Sequence, residues 1–430
     1  MSKKTKVLMF GWEFPPEISG GLGTACYGLV SGLIENNVDV LFVVPKLFGK
    51  EDTQKFRLVN AMDTEVNFGS EKFRQNIQKA QHLQINSNIL PYVSPNEFAK
   101  PTQFSFDKIN EYGVNFRTKF SFNGGYGQDL LAEVSKYALV AMQIAADNEF
   151  DIIHAHDWLT YPAAIMAKEI SGKPLVVHVH ATEFDRSGEH VNQAVYDMER
   201  RGVHAADRVI CVSRLTRRIV INRYGVDPSK VFVVHNAVEP REKKIYPEKA
   251  LKDKKIVTFL GRITFQKGPD YFVEAAKKVL EKMPDVHFVM AGKGDMYLGL
   301  VERVAQLKMS SRFHFTGFLN HFETNNLYGM SDIYIMPSVS EPFGITPLEA
   351  MRTGVPVIIS KQSGVAEVLE NAIKIDFWDV DALANCIIGL LEYPELAKKL
   401  AEEGAKEVEN MKWEYSALRV NEVYNDVLYK

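Results

Sequence analysis

The chain reads as an α/β protein made of two Rossmann-like halves that face a central cleft. Three observations lead there. Short apolar runs rich in Val, Ile and Phe alternate with amphipathic stretches along nearly the whole chain, the pattern of parallel strands covered by helices. The alternation comes as two series, divided by the charged stretch Glu239-Pro-Arg-Glu-Lys-Lys-Ile-Tyr-Pro-Glu-Lys-Ala250. At 430 residues, 46% of them hydrophobic, the chain is long enough for two or three domains with substantial cores.

In the first series, strands are expected at residues 6–10, 38–44, 151–156, 174–180, 208–212 and 231–235. Residues 14–23, Phe-Pro-Pro-Glu-Ile-Ser-Gly20-Gly21-Leu-Gly23, follow the first strand and precede a helix over 24–35. Glycines there let backbone N–H groups approach an anion closely, although such a loop is often only a tight turn. Residues 49–125 are polar and irregular and read as an insertion outside the sheet. A hinge is expected at 239–253, which gives a first domain over 1–240 and a second over 253–413. The second series has strands at 255–260, 286–291, 313–316, 332–337 and 355–360. The aromatic-rich segment from Trp413 to Tyr429 then reads as one further helix, placed at 414–430.

The most informative stretch is Ser338-Val-Ser-Glu341-Pro-Phe343-Gly344-Ile345-Thr-Pro-Leu-Glu349. It passes from a buried strand into a helix that starts with an N-cap Thr346, Pro347 at the first helical position and an acid three residues after the cap. A strand-to-helix turn in a parallel sheet is where α/β proteins bind ligands, so the Glu341 loop is expected to face an anion site. Alone, Glu349 reads as a capping-box acid and Glu341 as a solvated loop acid. Together they are more specific. The Glu-x7-Glu spacing, with Pro-Phe-Gly after the first acid and Gly354-Val-Pro356 closing the helix, resembles the donor-site motif of retaining glycosyltransferases with the GT-B fold. Family 4 (group 1) and the related glycogen and starch synthases are the nearest in kind. The resemblance implies that Glu341 lies beside the donor sugar and Glu349 binds the nucleotide ribose, with Phe343, Gly344 and Ile345 in the donor-binding loop.

Phe259-Leu-Gly261-Arg262-Ile-Thr-Phe-Gln-Lys267-Gly268 opens the second half. Arg and Lys five residues apart on a strand-to-helix loop can reach one diphosphate, Arg as a planar fork and Lys as a point charge. Fixed cations of this kind spread the charge of a leaving diphosphate without a metal. Taken singly both would be surface residues. The segment resembles the family's Arg-x4-Lys-Gly donor-phosphate motif. Glycogen and starch synthases carry a Lys two residues before the paired Gly20 and Gly21, where this chain has Ile18, a departure that favours a family-4 arrangement of donor contacts.

Two strand ends of the first half carry Asp151-Ile-Ile-His154-Ala-His156-Asp157-Trp158 and His178-Val-His180. His154 and His156 share one strand face, as do His178 and His180. Such histidines are usually packed in the core, and four of them also suggest a zinc site. The His-Ala-His-Asp-Trp segment resembles the family's acceptor-side wall, which implies that His156 contacts the donor sugar, with His180 and Asp157 as weaker candidates on that side. Asp379-Val-Asp381 matches the Asp-x-Asp signature of metal-dependent glycosyltransferases, but Asp381 reads better as a helix N-cap. Arg214, Arg217, Arg218 and Arg223 form a basic helix, read as a solvated face.

A formal charge of −3 gives no global basic field for nucleic acid. No run approaches the ~18 apolar residues of a membrane span, so no stable membrane insertion is expected. Cys26, Cys211 and Cys386 have no metal-type spacing, and a reducing cytoplasm is the simplest home. The resemblance therefore implies a metal-independent hexosyltransferase with no cofactor. It would move a sugar, glucose by preference, from an ADP-, UDP- or GDP-linked donor to a carbohydrate acceptor, an α-glucan or small soluble glucoside. The last helix should return onto the first domain, as in the family. The alternatives are a lipid or cell-surface polysaccharide acceptor, a metal-dependent hydrolase built on the four histidines, and a non-catalytic glucan-binding protein.

Overall fold

The computed structural model describes residues 4–16, 20–67, 117–127, 129–239 and 254–429. Ile18, most of the expected insertion (68–116) and the hinge residues 240–253 lie outside the described residues. The strands are β1 (Lys6–Phe10), β2 (Asp39–Val44), β3 (Arg57–Asn60), β4 (Val66–Asn67), β5 (Arg117–Thr118), β6 (Ile152–His156), β7 (Leu175–Val179), β8 (Arg208–Cys211) and β9 (Val231–Val233) in the first half. The second half holds β10 (Ile256–Leu260), β11 (His287–Ala291), β12 (Phe313–Gly317), β13 (Ile333–Met336), β14 (Val357–Ser360) and β15 (Ile373–Ile375).

Two all-parallel sheets result, in the orders β3-β2-β1-β6-β7-β8-β9 and β12-β11-β10-β13-β14-β15. Strands β1, β6, β7 and β13 are almost wholly buried, as parallel strands covered on both faces must be. Each sheet has a core on either face, for example Leu8, Phe10 and Tyr137 on one side of the first sheet and Met9, Phe42 and Leu33 on the other. The second sheet is lined in the same way by Phe259, Phe272 and Phe288 on one side and by Tyr334, Leu348 and Ile359 on the other.

One expectation is corrected here. Arg57–Asn60, read as part of an insertion outside the sheet, is its parallel edge strand, in register with β2 from Leu41↔Arg57 to Val44↔Asn60. Its half-exposed side chains gave it no apolar run to recognise. β4 and β5 form a separate antiparallel ladder.

The last helix, Trp413–Leu428, packs on the first half. Sequence explains the docking. Gly28 and Gly32 lie one turn apart on the helix Gly21–Glu35 and leave a notch for Trp413. A Cβ at Gly28 would stand 2.2 Å from the indole Cε2, and one at Gly32 would stand 2.6 Å from the Trp413 carbonyl oxygen. Arg208 Nε donates to Asp426 Oδ2 at 2.7 Å, and Asn36 Nδ2 donates to the Glu414 carbonyl at 2.9 Å. The halves also meet directly, through Ser340 Oγ donating to Asp185 Oδ1 at 2.6 Å and through Arg214 and Leu215 N–H donating to Glu367 at 2.8 and 2.7 Å. Among the described residues no helix is long and apolar enough to cross a membrane.

Candidate functional site

In open parallel sheets, ligands bind beyond the carboxyl ends of the strands where the strand order reverses. Each sheet has one such point. In the first, β1 lies between β2 and β6, so the chain leaves β1 toward Gly20 and Gly21 and leaves β6 at His156 and Asp157. In the second, β10 lies between β11 and β13, so Arg262 and Lys267 follow one strand and Glu341 follows its neighbour. Motifs singled out in sequence thus cluster at the two reversal points.

On the second half, Lys267 Nζ meets Glu341 Oε2 at 2.5 Å, with the two side chains only 19% and 10% exposed. The backbone dictates the meeting. Lys267 ends a single 3-10 turn, Phe265–Lys267, and Gly268 follows at φ 62°, where an added Cβ would sit 2.2 Å from the Pro337 carbonyl. Only glycine fits that left-handed, crowded position, and it presses the Lys267 turn against the end of β13. Val339 N–H donates to the Gln266 carbonyl at 2.9 Å and closes the same contact. Arg262 is exposed, donates only a long bond of 3.4 Å to Gln266 Oε1, and carries no ion pair among the described residues. Its guanidinium fork is therefore open to an anion.

The helix after Glu341 runs from Thr346 to Arg352 and differs from expectation in three ways. Ile345, not Thr346, is the N-cap residue, and no side chain caps the helix. Thr346 Oγ1 instead accepts from Tyr334 OH at 2.8 Å. Glu349 accepts from Tyr328 OH at 3.2 Å, so its carboxylate is held by a buried phenol and is not a capping-box acid. At seven residues the helix is also too short to supply an anion site of its own, which leaves Arg262 and Lys267 as the cationic elements. Phe343 lies beneath the same loop. Its ring is 2% exposed, 6.0 Å from the His235 ring, and its carbonyl accepts from Val365 N–H, so the side chain shapes the loop from beneath without a surface to offer a ligand. Gly344, at φ 99°, and Ile345 are partly exposed in the same loop.

The first half contributes a wall of four stacked imidazoles. Register pairs His156 with His178, and the rings of His154 and His156 stack at 4.5 Å, those of His178 and His180 at 4.4 Å. His154 and His156 have no exposed surface and His178 is 2% exposed. His156 Nδ1 lies 2.9 Å from His180 Nε2, and His154 Nδ1 lies 2.6 Å from Tyr424 OH. His156, expected from the resemblance to contact the sugar, is enclosed here, and the partly exposed His180 is the ring that covers it. Burial, reinforced for the first three by neighbouring imidazoles, holds His154, His156 and His178 well below the usual histidine range and brings His180 to about 3.

Asp157, at φ 58°, is buried and accepts from the N–H groups of His180 and Ala181 at 2.6 and 3.3 Å. Burial raises it to about 7 in spite of nearby Arg186 and these two bonds. It positions the turn that carries His180. The groups His154–His156–His178 and Cys26–His156–His180 each bring ligand atoms within 4.8 Å of one another. Yet the imidazoles of the first group are enclosed and their rings lie within 36° of parallel, so their lone pairs run side by side. A catalytic metal needs converging ligands and an open coordination position.

Gly20 and Gly21 start the first long helix, and among the described residues beyond their own neighbours an added Cβ at either meets no atom within 4 Å. Glu13, not singled out in sequence, reaches this helix start. Its carboxylate accepts from Gly23 N–H at 3.1 Å and from Tyr126 OH at 3.4 Å. The signal available was its place between the first strand and the glycine-rich loop. Of the Asp-x-Asp pair, Asp379 caps the helix Val380–Glu392 through Ala382 N–H, while Asp381 pairs with Lys278 at 2.8 Å. The N-cap is thus two residues earlier than expected. In the basic helix, Arg217 donates to the carbonyls of Val231 and Pro228, and Arg223 pairs with Glu189.

Comparison with known proteins agrees with this architecture. A family described as Glycosyl transferases group 1 matches residues 240–407, and Glycosyltransferase Family 4 matches residues 105–242. The chain is 30% identical over 312 residues to an alpha-maltose-1-phosphate synthase of Mycolicibacterium smegmatis, covering 64% of this chain and 79% of that protein. It is 22% identical to a glycogen synthase of Mycobacterium tuberculosis, covering 97% and 94%. It is 29% identical to a UDP-Gal:alpha-D-GlcNAc-diphosphoundecaprenol alpha-1,3-galactosyltransferase of Escherichia coli, covering 61% and 70%. Among solved structures, a sucrose-phosphate synthase from Thermosynechococcus elongatus superposes with a TM-score of 0.71 at 17% identity, covering 99% of this chain and all of the other. The Anabaena protein HepE, in complex with UDP-glucose, superposes at 0.65 with 18% identity, covering 98% and 99%. The chain belongs to the group 1 glycosyltransferases and has the two-domain GT-B fold.

Proposed function

We propose that the protein transfers a glucosyl group from a nucleotide sugar to an α-glucan or a small soluble glucoside in the cytoplasm, with retention of configuration and without a metal ion. The observation that carries this reading is the enclosed Lys267–Glu341 pair at the β10/β13 reversal point, with the unpaired Arg262 beside it. Lys267 is held against a carboxylate that the incoming diphosphate can replace. Arg262 adds a planar fork, and together they meet the charge that grows on the leaving diphosphate. Glu341 is then released beside the sugar, and Glu349, on the following helix, reaches the ribose. The C1–O bond to the diphosphate breaks, the acceptor oxygen bonds to C1 on the same face, and the acceptor proton passes to the departing phosphate oxygen. His180 and the turn held by Asp157 form the opposing wall.

Similarity to the maltose-1-phosphate and glycogen synthases supports a soluble glucan or glucoside acceptor. The exposed ring of Tyr126, beside the start of the Gly21 helix, offers a flat apolar face to a sugar. The three cysteines are free thiols, in keeping with a reducing compartment. Similarity to the lipid-linked galactosyltransferase supports a second acceptor class. The test offers ADP-, UDP- and GDP-glucose with maltooligosaccharides, with glucose 1-phosphate and with a polyprenyl-diphosphate sugar. Transfer to the soluble acceptors is expected. Transfer to the lipid alone would overturn the acceptor, and no transfer from any donor would overturn the reading.

A further inference from the structure

A cavity of about 190 Å³ lies on the seam between the halves, and neither Arg262, Lys267 nor Glu341 lines it. Three cations line it. Arg218 comes from the helix Arg214–Tyr224 of the first half, Lys361 from the loop after β14, and Lys374 from β15. Glu367 is the one acid in the lining, and its carboxylate is already committed to the Arg214 and Leu215 N–H groups and to His235 Nε2 at 3.3 Å. Lys361 pairs with Asp376 at 2.8 Å, but Arg218 and Lys374 carry no ion pair among the described residues. Two unpaired cations facing one small cavity repel each other unless an anion lies between them.

We propose that this cavity is a second anion site, which takes a phosphate group and clamps the two halves together when filled. Size and chemistry both fit. A volume equal to that of about six waters is below the ~300 Å³ at which drug-sized pockets begin, yet roomy for a tetrahedral oxyanion. An Arg fork with flanking Lys charges is the usual side-chain set for phosphate. The site is wired to the donor loop. Glu341 N–H donates to the Gln362 carbonyl at 3.0 Å, and Gly364 N–H donates to the Glu341 carbonyl at 2.8 Å, so the segment carrying Lys361 and Glu367 is also the strip against which the Glu341 loop is paired. An anion bridging Arg218 to Lys361 and Lys374 fixes that strip to the first half, and through it the position of Glu341. The shared ligand chemistry is a phosphate dianion, free or as a phosphate monoester.

The test is calorimetric titration of the full-length protein with inorganic phosphate and with fructose 6-phosphate, at ionic strength matched with sodium chloride. Arg262→Ala/Lys267→Ala removes phosphate binding in the donor cleft, and Arg218→Ser/Lys374→Ser removes the seam cations. The seam side chains are exposed, so their loss leaves folding intact. Phosphate binding should persist in the cleft variant and weaken at least tenfold when the seam substitutions are added to it. Tighter binding of the sugar phosphate identifies a monoester as the ligand, and equal binding identifies the free anion. No phosphate binding by the cleft variant, or equal binding with and without the seam substitutions, overturns the site. The readout needs no turnover, so it stands or falls apart from the glycosyl-transfer reading.

Discussion

Lowering the pH from 7.5 to 5.5 should destabilise the first half, because its sheet encloses imidazoles that the folded chain cannot protonate. His154, His156 and His178 are each held well below 6.5 by burial first and by the neighbouring rings second. Between the folded and unfolded values the unfolded chain binds more protons, so the stability these groups contribute is present above about pH 6.5 and lost as the pH falls. His180, brought to about 3, behaves in the same way, so each of the four rings contributes a loss of about 1–2 kcal/mol over the two pH units, roughly 5 kcal/mol together. Asp157 acts in the opposite sense. Raised to about 7, it takes up a proton in the folded state over the same interval and returns about 2 kcal/mol. The net loss is about 3 kcal/mol, a sizeable share of the ~5–15 kcal/mol typical of a domain. Urea denaturation followed by tryptophan fluorescence reads it, since Trp12, Trp158 and Trp413 are all buried in or against the first sheet. His178→Phe, at the ring whose two nitrogens lack hydrogen-bond partners among the described residues, should reduce the pH dependence by about 1 kcal/mol. Stability that is flat or rises on acidification, or an unchanged dependence in the variant, would refute the neutral buried cluster.

Three further outcomes are expected. Lys267→Ala and Arg262→Ala should each lower kcat by roughly two to three orders of magnitude, with EDTA without effect; wild-type rates in both, or loss on chelation with rescue by Mn²⁺, would remove the metal-free assignment. Gly28→Ala drives a Cβ into the Trp413 ring and should cost roughly 1–3 kcal/mol in urea midpoint analysis despite the better helix propensity of alanine, whereas Gly389→Ala, with open space around its Cβ, should be neutral or stabilising. Tyr126→Ala should raise the acceptor KM about 3- to 10-fold and leave the donor KM unchanged, the equivalent of roughly 0.7–1.4 kcal/mol of lost ring contact; a change confined to the donor KM would move Tyr126 to the other substrate.

Much of this was legible because parallel strands advertise themselves. All eleven expected strands are present, displaced at their ends by no more than two residues, since an apolar run shows where a strand is buried but not where pairing stops. β3 and β15 were not legible, because Arg57-Leu-Val-Asn is half exposed and Ile373-Lys-Ile is only three residues long. In the candidate site, the Glu341 and Lys267 motifs carried their own spacing, but their contact across 74 residues depended on the Gly268–Pro337 approach, which no local pattern encodes. The histidines show the limit most clearly. Sequence put His154 and His156 on one strand face, yet only the β6/β7 register reveals that His180 covers His156, and so which ring is left to meet a ligand.

The most direct test of the central claim is the reaction product itself. Wild-type protein and Lys267→Ala are incubated with each α-linked nucleotide-glucose and maltooligosaccharide, and the new anomeric proton is read by NMR alongside nucleoside diphosphate release. An α-linked product is expected from at least one donor, with diphosphate formed in step, and a rate reduced roughly 100- to 1,000-fold in the variant. A β-linked product, or transfer that proceeds equally well without the Lys267 ammonium, would contradict that claim.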